Sequence, residues 1–253
     1  MAQYIGVNGV ARNIASSYVG VGGVARANTA GYIGVEGVAR QFLAGGTPLS
    51  SFAVGSIVYI NESGSPVGYY VAKHDYESGL NGAGRTLMVR TSPYTTAQWH
   101  SSTVNAYASS SINTWLNGSF KALFSASVQT LIGTTTFYYT PGNGSYSVST
   151  LARSIFLLSC TEYGKDDRYD ESEGNDIMNV EGSALSIAQS LYTGSTQWTR
   201  SPYKSTSRNR NAFLISRWDY AASNGYVTNS AQIRPAFTLP STAKVDANNY
   251  LVE

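Results

Sequence analysis

Cysteine is almost absent. Cys160 is the only one in 253 residues, so no intrachain disulfide can form and no thiol-rich metal site is available. Histidine is nearly as scarce. His74 and His100 stand 26 residues apart, without metal-ligand spacing. Charged residues make up 13% of the chain, about half the usual share for a soluble domain. The net charge of +2 is too small to make nucleic acid the expected partner. No run of about 18 apolar residues occurs, so no segment reads as inserting in a membrane. The N-terminus lacks the basic-then-apolar pattern of a secretory signal, so export as part of a particle or by lysis is expected. No P-loop, dinucleotide fingerprint or nucleophile elbow is found, and the chain reads as a non-enzyme.

Hydrophobic residues make up 42%, enough for a real core. Solubility therefore rests on Ser, Thr, Asn, Gly and Tyr. Nineteen Tyr and four Trp suit a binding face, because these rings give contact area at low entropy cost. Cys160 ends the apolar run 154–160 and reads as a buried, inert thiol on a strand.

The first 46 residues hold one pattern three times, with a period of 14. The copies start at Tyr4, Tyr18 and Tyr32 and end at Arg12, Arg26 and Arg40. Each reads as a β-hairpin, with Asn8-Gly9, Gly22-Gly23 and Glu36-Gly37 at the turns. Four-residue strands cannot be stable alone. Residues 1–46 are therefore expected to dock, on other proteins or on sister chains in a homo-oligomer such as a trimer. The Gly-Pro-containing linker 43–48 separates them from a main domain, 47–253.

In that domain, residues 56–60, 69–72, 87–90, 134–140 and 155–160 read as strands, with a turn at 63–66. A helix is expected over 112–116, capped from Ser109, Ser110 or Ser111 and stopped by Asn117-Gly118. Phe120, Leu123, Phe124, Val128 and Leu131 continue at helical spacing, and 184–191 is a further helix candidate. Seven of the 15 acids fall between Glu162 and Asp176 (Glu162, Asp166, Asp167, Asp170, Glu171, Glu173, Asp176). They read as a solvated loop paired with nearby arginines, with an oxygen-lined Ca²⁺ site as the alternative. No other metal or cofactor is implied.

Between Trp198 and Ile233, Ser, Asn, Tyr, Arg and Thr supply 20 of 36 residues, between rigid or apolar anchors. That composition predicts a loop-rich face on a fixed frame. Candidate ligand contacts are Tyr203, Lys204, Ser205, Arg208, Asn209, Arg210, Asn211, Arg217, Asp219, Tyr220, Asn224, Tyr226 and Asn229. Candidate scaffold residues are Trp198, Trp218, Arg234, Pro235 and Phe237, with Pro202 fixing local backbone geometry. Arg200, Lys204, Arg208, Arg210 and Arg217 either meet an anionic ligand or offset the acidic segment. Paired carboxylates for glycan hydrolysis, Asp75 and Glu77 near His74 or Asp219 near Trp218, are the enzymatic alternative.

Trp115-Leu116-Asn117-Gly118-Ser119-Phe120, then Phe156-Leu157-Leu158-Ser159 with Glu162, then Trp198-Thr199-Arg200-Ser201-Pro202, then Ile233-Arg234-Pro235-Ala236-Phe237 resemble, in that order, an uncharacterised domain family of Firmicutes and their phages. That family is related to the C-type-lectin-like fold. The same elements resemble the variable proteins of diversity-generating retroelements, over about residues 50 to 245. The repeats look like those of phage tail-associated proteins. The resemblance implies an α+β, C-type-lectin-like domain with two helices, carried on a virion. It implies a receptor-binding or display role towards a bacterial surface glycan or protein, with residues 1–46 meeting other tail proteins. A structural baseplate or decoration protein without a ligand is the competing expectation.

Overall fold

The computed structural model describes residues 4–7, 10–13, 18–21, 24–27, 31–35, 38–43, 46–145, 147–164, 172–177, 196–203, 209–215 and 222–252. They fall into two compact units: Met1–Thr47 with Lys244–Val252, and Pro48–Ala243. In the first unit each repeat forms an antiparallel pair. Tyr4–Val7 (β1) pairs with Val10–Asn13 (β2), Tyr18–Val21 (β3) with Val24–Ala27 (β4), and Gly31–Val35 (β5) with Val38–Leu43 (β6). The registers agree: Val7 pairs with Val10, Val21 with Val24 and Val35 with Val38. Thr47–Pro48 (β7) is the ladder partner of Lys244–Val245, the last strand of the chain.

The second unit holds a four-stranded antiparallel sheet and a five-stranded sheet. The first contains Ile57–Glu62 (β8), Ser65–Lys73 (β9) and Arg85–Arg90 (β10). Ser63 and Gly64, both at positive φ, turn β8 into β9, as a two-residue hairpin loop requires. Pro66 pairs with Asn61 of β8, while β10 reaches only as far as Tyr69. The missing proline N–H therefore costs the ladder nothing. Thr86, Leu87, Met88 and Val89 are all fully buried, so β10 is covered on both faces.

Thr95–Gln98 (β11) follows, then Thr135–Tyr139 (β12) paired with Ser149–Arg153 (β13). Gln197–Pro202 (β14), Asn211–Ile215 (β15), Ala222–Tyr226 (β16) and Ser230–Ile233 (β17) complete the five-stranded sheet in the order β11-β17-β14-β15-β16. Ala236–Pro240 (β18) then joins the first sheet beside β10, and Lys244–Val245 is β19. Arg234, 1% exposed, fastens the crossing point. It donates to the carbonyls of Arg90 and Thr91 where β10 ends, and to Gln197 Oε1 on β14.

The expected α+β class, with two helices on a lectin-like fold, does not hold. The chain is mostly β, with 40% in strands against 18% helical, spread over several sheets. The three α-helices among the described residues are short: Ser78–Asn81 (α1), Ser111–Trp115 (α2) and Ala126–Ile132 (α3). Ser110 caps α2 through Asn113 N–H, and Ser125 caps α3 through Val128 N–H. Of the residues expected at helical spacing, Phe120, Phe124 and Val128 are buried while Leu123 and Leu131 are half-buried; Leu116 and Ile132 complete a buried set at four-residue intervals. The backbone is nonetheless interrupted by wide and tight turns over 116–123 and an extended Phe124. The helix candidate at 184–191 lies outside the described residues.

Residues 155–160 are buried but form no strand; only Phe156 bridges to Ala236. Side chains satisfy this backbone instead. Asn117 accepts from Ser154 N–H and Ile155 N–H and donates to Ile155 O, while Tyr107 accepts from Leu157 N–H. Buried backbone groups must be paired by something, and here the partners come from distant loops that periodicity does not reveal. Asn117→Ala is expected to destabilise the fold by about 2 kcal/mol, the cost of stranding buried backbone groups. Urea unfolding with an unchanged slope would check it.

Candidate ligand-binding face

β14 is the middle strand of its sheet, and all six of its residues are buried. Arg200 sits there with no exposure. All five guanidinium N–H groups find acceptors. Nε donates to Tyr138 O, one terminal nitrogen to Leu157 O and Glu162 Oε2 (2.9 and 2.6 Å), and the other to Glu162 Oε1 and Glu173 O (3.0 and 3.1 Å). The guanidinium also lies 4.7 Å from the centre of the Phe137 ring. Burial alone lowers the Arg200 pKa, but attraction to Glu162, aided by Tyr76 and Glu173, leaves it raised. The charge is permanent.

Glu162 and Glu173 are likewise fully buried, which corrects the expectation of a solvated acidic loop at these two positions. Glu162 also accepts from Tyr76 O–H at 2.5 Å and from Ser159 N–H at 2.9 Å. Burial first, then Glu162, holds the Tyr76 phenol well above its ordinary pKa, so it stays a neutral donor. Glu173 accepts from Thr140 N–H and from the Ser201 hydroxyl. With its lone pairs filled by donors, Glu162 is a poor calcium ligand. Asp166, Asp167, Asp170 and Glu171 lie outside the described residues, and no group of three or more possible metal ligands occurs among those described.

Glu77 begins α1 in left-handed geometry, φ 46°, and is 6% exposed. Its Oε1 is buried without a partner. A Cβ on Gly174 would lie 2.9 Å from that oxygen and 3.3 Å from Glu162 Oε1, so the two carboxyl groups share one small space. Burial, and then the Glu162 charge, raise the Glu77 pKa. Asp75 Oδ1 accepts from Gly84 N–H, and His74 bonds Phe52 O and Thr86 Oγ1. These are local structural ties.

On this buried frame the candidate contacts are placed as follows. Asn211 and Tyr226 are register partners, and Asn211 donates to Asn224 Oδ1 at 2.7 Å. Side chains two apart on a strand share a face, so these three project together. Tyr226 is 54% exposed; Arg210 and Asn229 are exposed and Asn209 is half-buried. Tyr203 is half-buried with its ring 5.3 Å from Phe213, so part of it serves packing. Lys204, Ser205, Arg208, Arg217, Trp218, Asp219 and Tyr220 lie outside the described residues. Trp198, Arg234, Pro235 and Phe237 are buried. Of the two expectations for Arg200, an anionic ligand or the acidic segment, the second holds: it pairs with Glu162 in the interior.

Asn105 was not singled out by the sequence, yet it organises this face. It has no exposure. Its side-chain amide donates to Tyr203 O and Asn211 O, its Oδ1 accepts from Asn143 N–H, and its own N–H donates to Asn209 O. Gly142, at φ +82°, is required beside it: a Cβ there would lie 2.0 Å from Asn105 O. An Asn in a polar stretch gives no periodic signal; only its closeness to the Gly142-Asn143 pair in space marks it.

A family described as a domain of unknown function, DUF6273, matches residues 83–241, well over half the chain. No curated protein and no solved structure matches.

Two outcomes follow from the frame. Arg200→Met leaves Glu162 buried and unpaired and is expected to cost about 3–5 kcal/mol, read by denaturant unfolding. Glu77 holds its proton more tightly folded than unfolded, so its contribution is present at low pH and fades as pH rises through the raised folded pKa. Glu77→Gln is therefore expected to gain stability over the native chain as pH climbs from about 4.5. Parallel melting curves across that range would check it.

Proposed function

The chain belongs to the DUF6273 family, and we propose that it is a non-enzymatic binding protein of a phage tail that meets a host-surface glycan or protein. The contact is made by Tyr226, Arg210, Asn224, Asn229 and their neighbours. The hairpin repeats attach the protein to other tail components or to sister chains.

The observation that carries this reading is the contrast within one sheet. Its central strand is buried at every residue, while the β15–β16 side presents a Tyr that is 54% exposed beside amides and a cation. Exposed Tyr, Asn and Arg on a rigid support give contact area and adaptable hydrogen bonds at low entropic cost. The regularity of the three hairpin registers supports a docking role, since short hairpins need something to pack on.

The test is binding of the labelled full chain to whole Firmicutes cells. Replacing Tyr226 and Arg210 together with Ser is expected to weaken binding at least about tenfold, with unchanged melting temperature. Undiminished binding by that folded variant would remove the face from the reading.

A further inference from the structure

A second surface in the larger unit carries ligand-binding chemistry that the β15–β16 face does not use. β11 is the edge strand of the five-stranded sheet. Between it and α2 runs a groove of about 500 Å³, lined chiefly by Tyr94, Thr95, Thr96, Gln98, Ser111 and Trp115. We propose that this groove is a subsite for a neutral pyranose sugar, the proposal resting on the reading of this chain as a binding protein.

The first argument is charge. None of the lining residues is acidic or basic. The guanidinium of Arg90, 5.3 Å from the centre of the Tyr94 ring, is held by Glu62 and by the Ser92 and Pro93 carbonyls. The lining residues themselves offer no charge to a phosphate, a carboxylate or a cation, and the neighbouring His100 ring is bonded to Ser111 Oγ. The second is the aromatic wall. Tyr94 and Trp115 lie 5.5 Å apart at 46°, and Phe120 meets the Tyr94 ring edge-on at 5.0 Å. The Tyr94 ring is thereby fixed while 39% of the residue stays exposed. Aromatic faces are electron-rich, and the C–H face of a pyranose is the matching apolar, weakly positive surface.

The third argument is the rim. Thr96 and Gln98, two apart on β11, share a face; the Thr96 hydroxyl has no side-chain partner among the described residues, and a hydroxyl both donates and accepts. The Gln98 amide nitrogen donates to Thr228 O at 2.7 Å. That bond fixes the side chain and leaves its carbonyl oxygen on the exposed rim. Uncharged groups of both kinds beside an aromatic wall complement ring hydroxyls, and the volume falls within the usual range for small-ligand pockets.

The strand that lines the groove is also tied to the turn beside the proposed face. Gln98 reaches Thr228, and His100 N–H donates to Val227 O. Both partners lie in the turn directly after Tyr226. An oligosaccharide seated on Trp115 and extending along β11 would meet that turn, which favours a glycan over an isolated small molecule.

The experiment titrates the full chain with maltohexaose, cellohexaose and the N-acetylglucosamine tetramer, by calorimetry and by tryptophan fluorescence. At least one is expected to bind. Trp115→Ala and Tyr94→Ala are each expected to weaken it at least tenfold, while Trp115→Phe retains most of the affinity and melts with the native chain. Saccharide binding that survives both alanine variants overturns the proposal. So does binding of none of the three, or of an extended peptide in their place. Cell adhesion lost on changing Tyr226 and Arg210, with the groove silent, would leave the binding function standing and remove only the sugar subsite.

Discussion

A guanidinium cut off from water must find five hydrogen-bond acceptors inside the protein, and the way Arg200 finds them organises the larger unit. Its acceptors come from β12, from the Leu157 carbonyl, from Glu162 and from the backbone at Glu173. Those are four places spread between Tyr138 and Glu173, all brought to one strand that starts more than twenty residues later. None can shift without stranding a permanent charge in a medium of low polarity. The non-helical, non-strand segment 155–160 is tolerated because the same charge, with Asn117 and Tyr107, satisfies its backbone. A second arginine, Arg234, does a similar job between the two sheets. The interior is thus held by directional polar contacts as well as by the aromatic cluster of Tyr69, Phe124 and Phe237, whose rings lie 5.0 to 6.4 Å apart.

This arrangement explains which parts of the molecule could be read from the sequence. The strands β8 and β9 and their turn follow from alternation and from Ser63-Gly64. The capping of α2 by Ser110 follows from a run of serines before an apolar residue. The hairpin repeats follow from their period. The expected class came with the lectin-like resemblance, and the helical spacing of Phe120, Leu123, Phe124, Val128 and Leu131 agrees with it, although the chain between them turns irregularly. Spacing records which side chains face the core, not whether the intervening hydrogen bonds are helical. The acidic segment was misread for a related reason. Glu162 and Glu173 look like surface residues until their donors, contributed by Tyr76, Thr140, Arg200 and Ser201, are folded around them.

Part of the candidate face was legible, in Asn211, Asn224 and Tyr226, because their composition is unusual beside apolar anchors. Its support was not, since nothing in the polar stretch around Asn105 distinguishes a residue that holds four bonds from one that holds none. The same is true of the Tyr94 and Trp115 pair, whose meeting depends on α2 crossing over an edge strand. Sites made by tertiary crossing carry little local signature.

The grip of Asn105 has one more implication. It holds the carbonyls of Tyr203, Asn209 and Asn211 and the amide of Asn143, which are groups of the main chain. Every amino acid brings the same carbonyl to those positions. The backbone at Tyr203, Asn209 and Asn211 is consequently positioned from outside, while the chemistry offered there is specified by their own side chains. Mutations can rewrite the second without disturbing the first, so the side chains displayed at these positions can drift through sequence space while the architecture beneath them stays inherited intact.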